Sequence, residues 1–111
     1  MDIKELFEDL GVAMKKGGYT HLSFEFPIIK EDSITSIDMF DYSTRTENAL
    51  KNAGIFTVQD LAELVTNSAD LKPLKNMGEK SVKEVMNSLL YTCIERNIIA
   101  KRKPYEGIKM Y

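Results

Sequence analysis

Between residues 42 and 86 the chain twice runs a short polar-capped helical pattern into a glycine turn, first as YSTRTENALKNAGIFTVQDLAELV and then as LKNMGEKSVKEVM. In the first stretch Ser43 is an N-cap for a helix from Thr44 to Ala53, whose apolar side is Ala49, Leu50 and Ala53, and Gly54 falls at the C′ position that ends it. Thr57 with Asp60 then caps a second helix that turns Val58, Leu61, Ala62 and Val65 inward. Helices this short do not persist alone in water. They must bury their apolar sides against one another, which commits this part of the chain to a compact, mainly α helix-hairpin-helix domain of four to five helices.

The second turn, Asn76-Met77-Gly78-Glu79-Lys80-Ser81, stands where a long helix begins. A helix start leaves backbone N–H groups unpaired and carries positive dipole. Gly78 leaves that backbone approachable, Lys80 adds a cation and Ser81 a hydroxyl, so the turn is a candidate phosphate seat. Arg45 and Asn48 lie three apart on the earlier helix and so share a face. A solvated helix face and an ordinary helix cap are the plain readings of the same residues; the functional reading requires both groups to converge on one partner.

The rest of the sequence frames this core. Ile3, Leu6, Phe7 and Leu10 have helical spacing over residues 3 to about 15, with Gly17-Gly18 as a stop. Thr20 to Ile28 alternates, with Leu22, Phe24 and Phe26 against His21, Ser23 and Glu25, the period of a half-buried strand that Pro27 restricts to an edge or an end. A single strand leaves its backbone unpaired. Its partner is another copy of the chain, a parent protein, or a second short strand from the C-terminal tail. Residues 30 to 35 read as a connector, Ile37, Met39 and Phe40 as anchors of a short helical turn, and Asn67 or Ser68 as the opening of another turn ending near Pro73. Val82, Val85, Met86, Leu89, Leu90, Cys93 and Ile94 form an unbroken stripe that predicts a helix over Glu79 to Arg96, about 27 Å long. The division expected is an N-terminal helix-strand extension (1–32), the helical domain (33–97), and a basic, extended, partly exposed tail (98–111) carrying Lys101, Arg102 and Lys103.

Composition narrows the function classes. Cys93 is the only cysteine and His21 the only histidine, so there is no disulfide, no legible metal site and no nucleophile-base pair. Gly78-Glu79-Lys80-Ser81 ends like a nucleotide-binding loop, but the preceding glycine is Gly54, far too distant, and no strand leads into it. Neither catalysis nor a cofactor is expected. A formal charge of −2 over 111 residues argues against a generally basic coat, so any nucleic-acid contact must be local. No apolar run approaches a membrane span and the N-terminus lacks a secretion signal, which points to the cytoplasm.

The series S-x-R-x-x-N-x-L-K-x-A-G-I from Ser43, T-V-x-D-L from Thr57 and L-x-N-x-G-x-K-S-x-x-E-V from Leu74 resembles the C-terminal domain of the bacterial RNA polymerase α subunit over about residues 35 to 92. The resemblance implies a non-catalytic DNA-binding module of transcription that engages the minor groove of A·T-rich double-stranded DNA. Sigma factor and transcription regulators are the implied protein partners, beside polymerase itself. It further implies DNA contact by Arg45, which enters the groove, by Asn48, and by Asn76, Gly78, Lys80 and Ser81 at the glycine turn, with Glu84 orienting its basic neighbours. Glu79 departs from that pattern, where basic or neutral residues are usual, and Ala49 stands where cysteine is frequent. Residues 1–32 match nothing in it. The alternative is a protein-protein interaction module, an adaptor or decoy for polymerase, sigma factor or a regulator, with residues 1–32 supplying a partner surface or a homodimer contact.

Overall fold

The computed structural model describes residues 2–65, 71 and 73–111. Its architecture is mainly α, with a small two-stranded antiparallel sheet. Helix α1 spans Ile3–Gly17, α2 Thr44–Asn52, α3 Val58–Leu64 and α4 Glu79–Ile99, while strands β1 (Leu22–Phe24) and β2 (Ile108–Met110) pair with each other. Two 3-10 turns, Lys30–Ser33 and Ile37–Phe40, lie between β1 and α2. The turn expected from Asn67 or Ser68 to Pro73 falls largely outside the described residues.

Local chemistry accounts for the helix ends. Asp2 caps α1 by accepting from the Lys4 N–H, and Gly18 closes the helix in the left-handed conformation. Ser43 caps α2, and Gly54, at φ 83°, turns the chain out of it. Thr57 and Asp60 form a reciprocal capping box on α3, with Asp60 Oδ2 accepting from the Thr57 N–H at 3.1 Å and Thr57 Oγ1 from the Asp60 N–H at 3.1 Å. The Phe56 N–H, at 3.2 Å from Asp60 Oδ2, and the Thr57 N–H together hold the Asp60 carboxyl below the usual carboxylate range. The segment before α2 is stitched to the turn before α3, since Ile37 N–H donates to Phe56 O and Val58 N–H to Thr35 O.

One apolar core runs through the molecule. It joins Leu50, Leu61, Val65, Leu71, Val85, Leu89, Cys93 and Ile94 to Leu6, Leu10, Leu22 and Phe24 from the first 32 residues. Helix α1 packs along α4. The inward positions expected on α3 and α4 are buried except Val82, which is half-buried; on α2, Ala49 and Leu50 are buried but Ala53, at the helix cap, is exposed. In the short turn Ile37 is fully buried, whereas Met39 points outward because a 3-10 turn repeats every three residues and presents Ile37 and Phe40 together.

The strand's partner is the C-terminal tail. Leu22 faces Met110, Ser23 Lys109 and Phe24 Ile108, so the regular strand is shorter than the alternating stretch Thr20 to Ile28. The tail is extended at β2 and folded back before it. Helix α4 continues three residues beyond Arg96, to Ile99, and buries Asn97, whose amide donates to Pro104 O at 3.1 Å and Glu106 O at 3.2 Å. The Tyr105 hydroxyl reaches the Leu6 carbonyl of α1.

Asp32, within the apparent connector, is 2% exposed. It makes a two-pronged ion pair with Arg96 of α4, at 2.6 and 2.8 Å, and accepts from the Ile29 N–H at 2.9 Å. Burial works to raise the Asp32 carboxyl, but the Arg96 and Ile29 donors outweigh it and hold the group below its ordinary value. Arg96 also donates to Pro27 O and lies 4.9 Å over the Phe26 ring.

Candidate nucleic-acid interface

The start of α4 is an open helix terminus. Gly78 is the N-cap and supplies no capping side chain, no side chain among the described residues accepts from the N–H groups of the first turn, and the intrahelical ladder begins with Val82 N–H to Gly78 O at 3.0 Å. Gly78 has φ −78°, and a Cβ built there meets nothing within 4 Å. Neither backbone conformation nor internal crowding requires glycine at this position. A bare backbone there leaves room for close approach from outside.

Helix α2 brings its own N-terminus against this turn. Ser43, Arg45, Gly78, Glu79, Lys80, Ser81 and Glu84 line one cleft of about 260 Å³. Arg45 and Lys80 are exposed cations at its rim, and Glu79 is an exposed carboxylate there. Glu84 is tied down within it, as its Oε2 accepts the Ser43 N–H at 3.1 Å. Partial burial raises the Glu84 carboxyl, but the Ser43 and Thr46 donors and the Lys80 charge together lower it below the usual range. It is therefore ionised at neutral pH, joining the start of α2 to the second turn of α4.

The sequence-selected residues divide in space. Arg45, Gly78, Lys80, Ser81 and Glu84 share the cleft. Asn48 is exposed one turn further along α2, outside the cleft lining, and Asn76, left-handed at φ 65°, borders a neighbouring hollow with Ala49, Asn52 and Lys75. Ser81 is only 5% exposed. Its hydroxyl accepts from Thr46 Oγ1 at 2.8 Å, and Thr46 in turn accepts from Ser43 Oγ at 3.0 Å. Thr46, fully buried, is a residue the sequence reading passed over. Its signal was present: Thr46, Ala49 and Leu50 stand at i, i+3 and i+4, so the hydroxyl lies on the inward stripe.

Cys93, fully buried in the core, donates to Glu25 O at 3.6 Å, and burial pushes its thiol up to about 11. His21 is exposed and stacks on Tyr111. No helix among the described residues is long and apolar enough to cross a membrane.

Comparison with known proteins bears on the same region. A DNA-directed RNA polymerase subunit alpha from Desulforamulus reducens is 43% identical over 54 residues, which is 49% of this chain and 16% of that protein. The subunit of Spirogyra maxima is 42% identical over 59 residues, 53% of this chain and 17% of the relative, and that of Ureaplasma parvum 38% over 66 residues, 60% and 20%. The chain thus spans about a fifth or less of the length of these curated relatives. No solved structure matches it. Residues 26–90, more than half of the protein, match the family described as the C-terminal domain of the bacterial RNA polymerase alpha chain, and this protein belongs to that family.

Proposed function

We propose that the protein is a non-catalytic DNA-binding module of the transcription machinery, acting in the cytoplasm, that grips A·T-rich duplex through the minor groove and one adjoining backbone. The observation that carries this is the convergence of Arg45 with the open N-terminus of α4 in one cleft. A narrow A·T-rich minor groove concentrates negative potential and attracts an inserted arginine, which gives preference by shape rather than by base code. The Gly78 backbone, the first N–H groups of α4 and Lys80 offer a phosphate seat beside it. Asn48 and Asn76 flank the cleft and extend the footprint, and Glu84 keeps α2 and α4 in register. Within this reading residues 33–97 form the DNA-binding unit, and residues 1–32 and 98–111 form a layer laid against α4. That layer is the surface proposed for polymerase, sigma factor, a regulator or a second copy of the protein.

With Glu79 and Glu84 opposing Arg45 and Lys80, the contact is local and weak. Titration at low salt with A·T-rich and G·C-rich duplexes should shift the Arg45, Gly78 and Lys80 resonances with the first and much less with the second. The slope of log K against log salt should be shallow, about −2 to −3, as for two or three neutralised phosphates. Arg45→Ala should weaken A·T-rich binding about tenfold or more, the scale of a charge-assisted contact. Absence of any shift with either duplex sinks the DNA reading.

A further inference from the structure

We propose that the duplex footprint continues past the cleft onto a ridge of cations, Lys83 on α4 with Lys15 and Lys16 at the end of α1, which holds further phosphates of the same DNA. The inference rests on the DNA reading of the cleft and extends it to the N-terminal layer. Helix α1 runs antiparallel to α4. Near its start, Phe7 packs edge-on against Tyr91, and the Leu6 carbonyl accepts from Tyr105, beyond the end of α4. Near its end, Met14 lines a hollow of about 320 Å³ with Glu79, Val82 and Lys83 from the first turns of α4, and Thr20 and His21 line the same hollow. Lys15 and Lys16 are held between Met14 and Thr20 by a closed turn, in which the Gly18 N–H donates to Lys15 O at 3.2 Å and the Tyr19 N–H to Met14 O at 3.0 Å. The last turn of α1 therefore lies beside the first turns of α4, at the end of the molecule where the cleft opens.

Glu79 joins the two surfaces, because it lines both the cleft and the hollow. Lys80 and Lys83, three apart on α4, are neighbours on the helix surface. Lys15, Lys16, Lys80 and Lys83 are all exposed, and among the described residues none of them makes an ion pair, whereas Lys51, Arg96 and Arg102 do. Of the residues lining the cleft, Lys80 carries the one ammonium and Arg45 is committed to the groove, so neutralising two or three phosphates calls for cations beyond it. Packed helices lie about 8 to 10 Å apart, little more than the roughly 6 Å width of the minor groove, so a duplex seated at the start of α4 reaches the end of α1. The tail cations Lys101, Arg102 and Lys103 follow the opposite end of α4, about 30 Å from Gly78 at the helical rise.

The test compares a ridge variant, Lys15→Gln with Lys16→Gln and Lys83→Gln, with a tail variant of equal charge loss, Lys101→Gln with Arg102→Gln and Lys103→Gln. Binding to A·T-rich and G·C-rich duplexes is followed over a salt series, with thermal melting as the check on folding. The ridge variant should weaken both duplexes about tenfold or more at about 50 mM salt, keep their ratio within about twofold, and flatten the slope of log K against log salt by about 1 to 2, as for one or two phosphates released. Lys→Arg at the three positions should restore binding, since it keeps the charge, and the tail variant should stay near wild type. Lys83→Gln alone, clear of the end of α1, should flatten the slope by about 1, which keeps the test decisive if the triple variant melts early. Wild-type affinity and slope in the ridge variant, or an equal loss in the tail variant, overturns the proposal and leaves the DNA reading in place. If the ridge variant weakens both duplexes while Arg45→Ala weakens neither, the ridge stands and the minor-groove reading falls. If wild type binds neither duplex, both fall.

Discussion

The cleft at the start of α4 sets single residues to opposed tasks, and two of them separate stability from binding. Glu79 favours the positive end of α4 while it repels a phosphate. Glu79→Gln should therefore lower stability by about 0.5 kcal/mol, the helix-dipole scale, and raise duplex affinity; loss of both in calorimetry and binding would place Glu79 in contact with the DNA-facing cations. Gly78→Ala needs no strained backbone, so it should cost only the roughly 0.5 to 1 kcal/mol by which alanine is a poorer N-cap than glycine, while duplex binding weakens. Asp32 sits at the other extreme, paired with Arg96 in the interior. Removing one partner of a buried pair costs about 3 to 5 kcal/mol, and Asp32→Ala should show a loss of that order in urea unfolding at pH 7. Because the folded Asp32 carboxyl binds its proton less tightly than in the unfolded state, its contribution is fully present above the ordinary carboxylate value near about 4 and is lost as pH falls through the lower, folded value. The acid limb of the stability profile should thus flatten in Asp32→Ala. Arg45, Gly78 and Lys80 were legible in the sequence because cap, glycine and cation are local signals. Asp32 was not, since its partner lies 64 positions away and nothing in Lys30 to Ser33 distinguishes a buried acid from a solvated one.

At the scale of elements, caps and stripes carried the reading well and element ends carried it poorly. The N-caps of α2 and α3, the stop at Gly54 and the inward face of α4 follow from neighbours in sequence. The end of α4 did not, because Arg96 and Asn97 look like a polar terminus until the tail folds back. Asn97 satisfies two tail carbonyls from within the core, and that decides where β2 lies. Asn97→Leu should leave both carbonyls without their donor, at about 1 to 3 kcal/mol. Amide exchange at Met110 and Tyr111 should then quicken while protection in α3 falls only with global stability. Unchanged exchange in the tail would mean that the β1–β2 ladder holds itself, which a three-residue pair rarely does.

Across the whole molecule, α1, β1 and β2 share one core with α2, α3 and α4. Leu6→Ala or Leu10→Ala should cost about 2 to 5 kcal/mol, and probes in α1 and α3 should report one coincident unfolding transition rather than two. A separate early transition for α1 would show the N-terminal layer to be an independently stable unit. The helical class, the two glycine turns, the candidate cation positions and the acidic balance that makes any DNA contact local were determined by sequence alone, because each depends on residue type and on spacing within a turn or two. The meeting of Arg45 with the α4 terminus, the burial of Thr46 and Ser81 between two helices, the Asp32–Arg96 pair and the choice of the tail as the strand's partner were decided only by the tertiary structure. Each joins groups tens of residues apart, and only the packed core sets the distance between them.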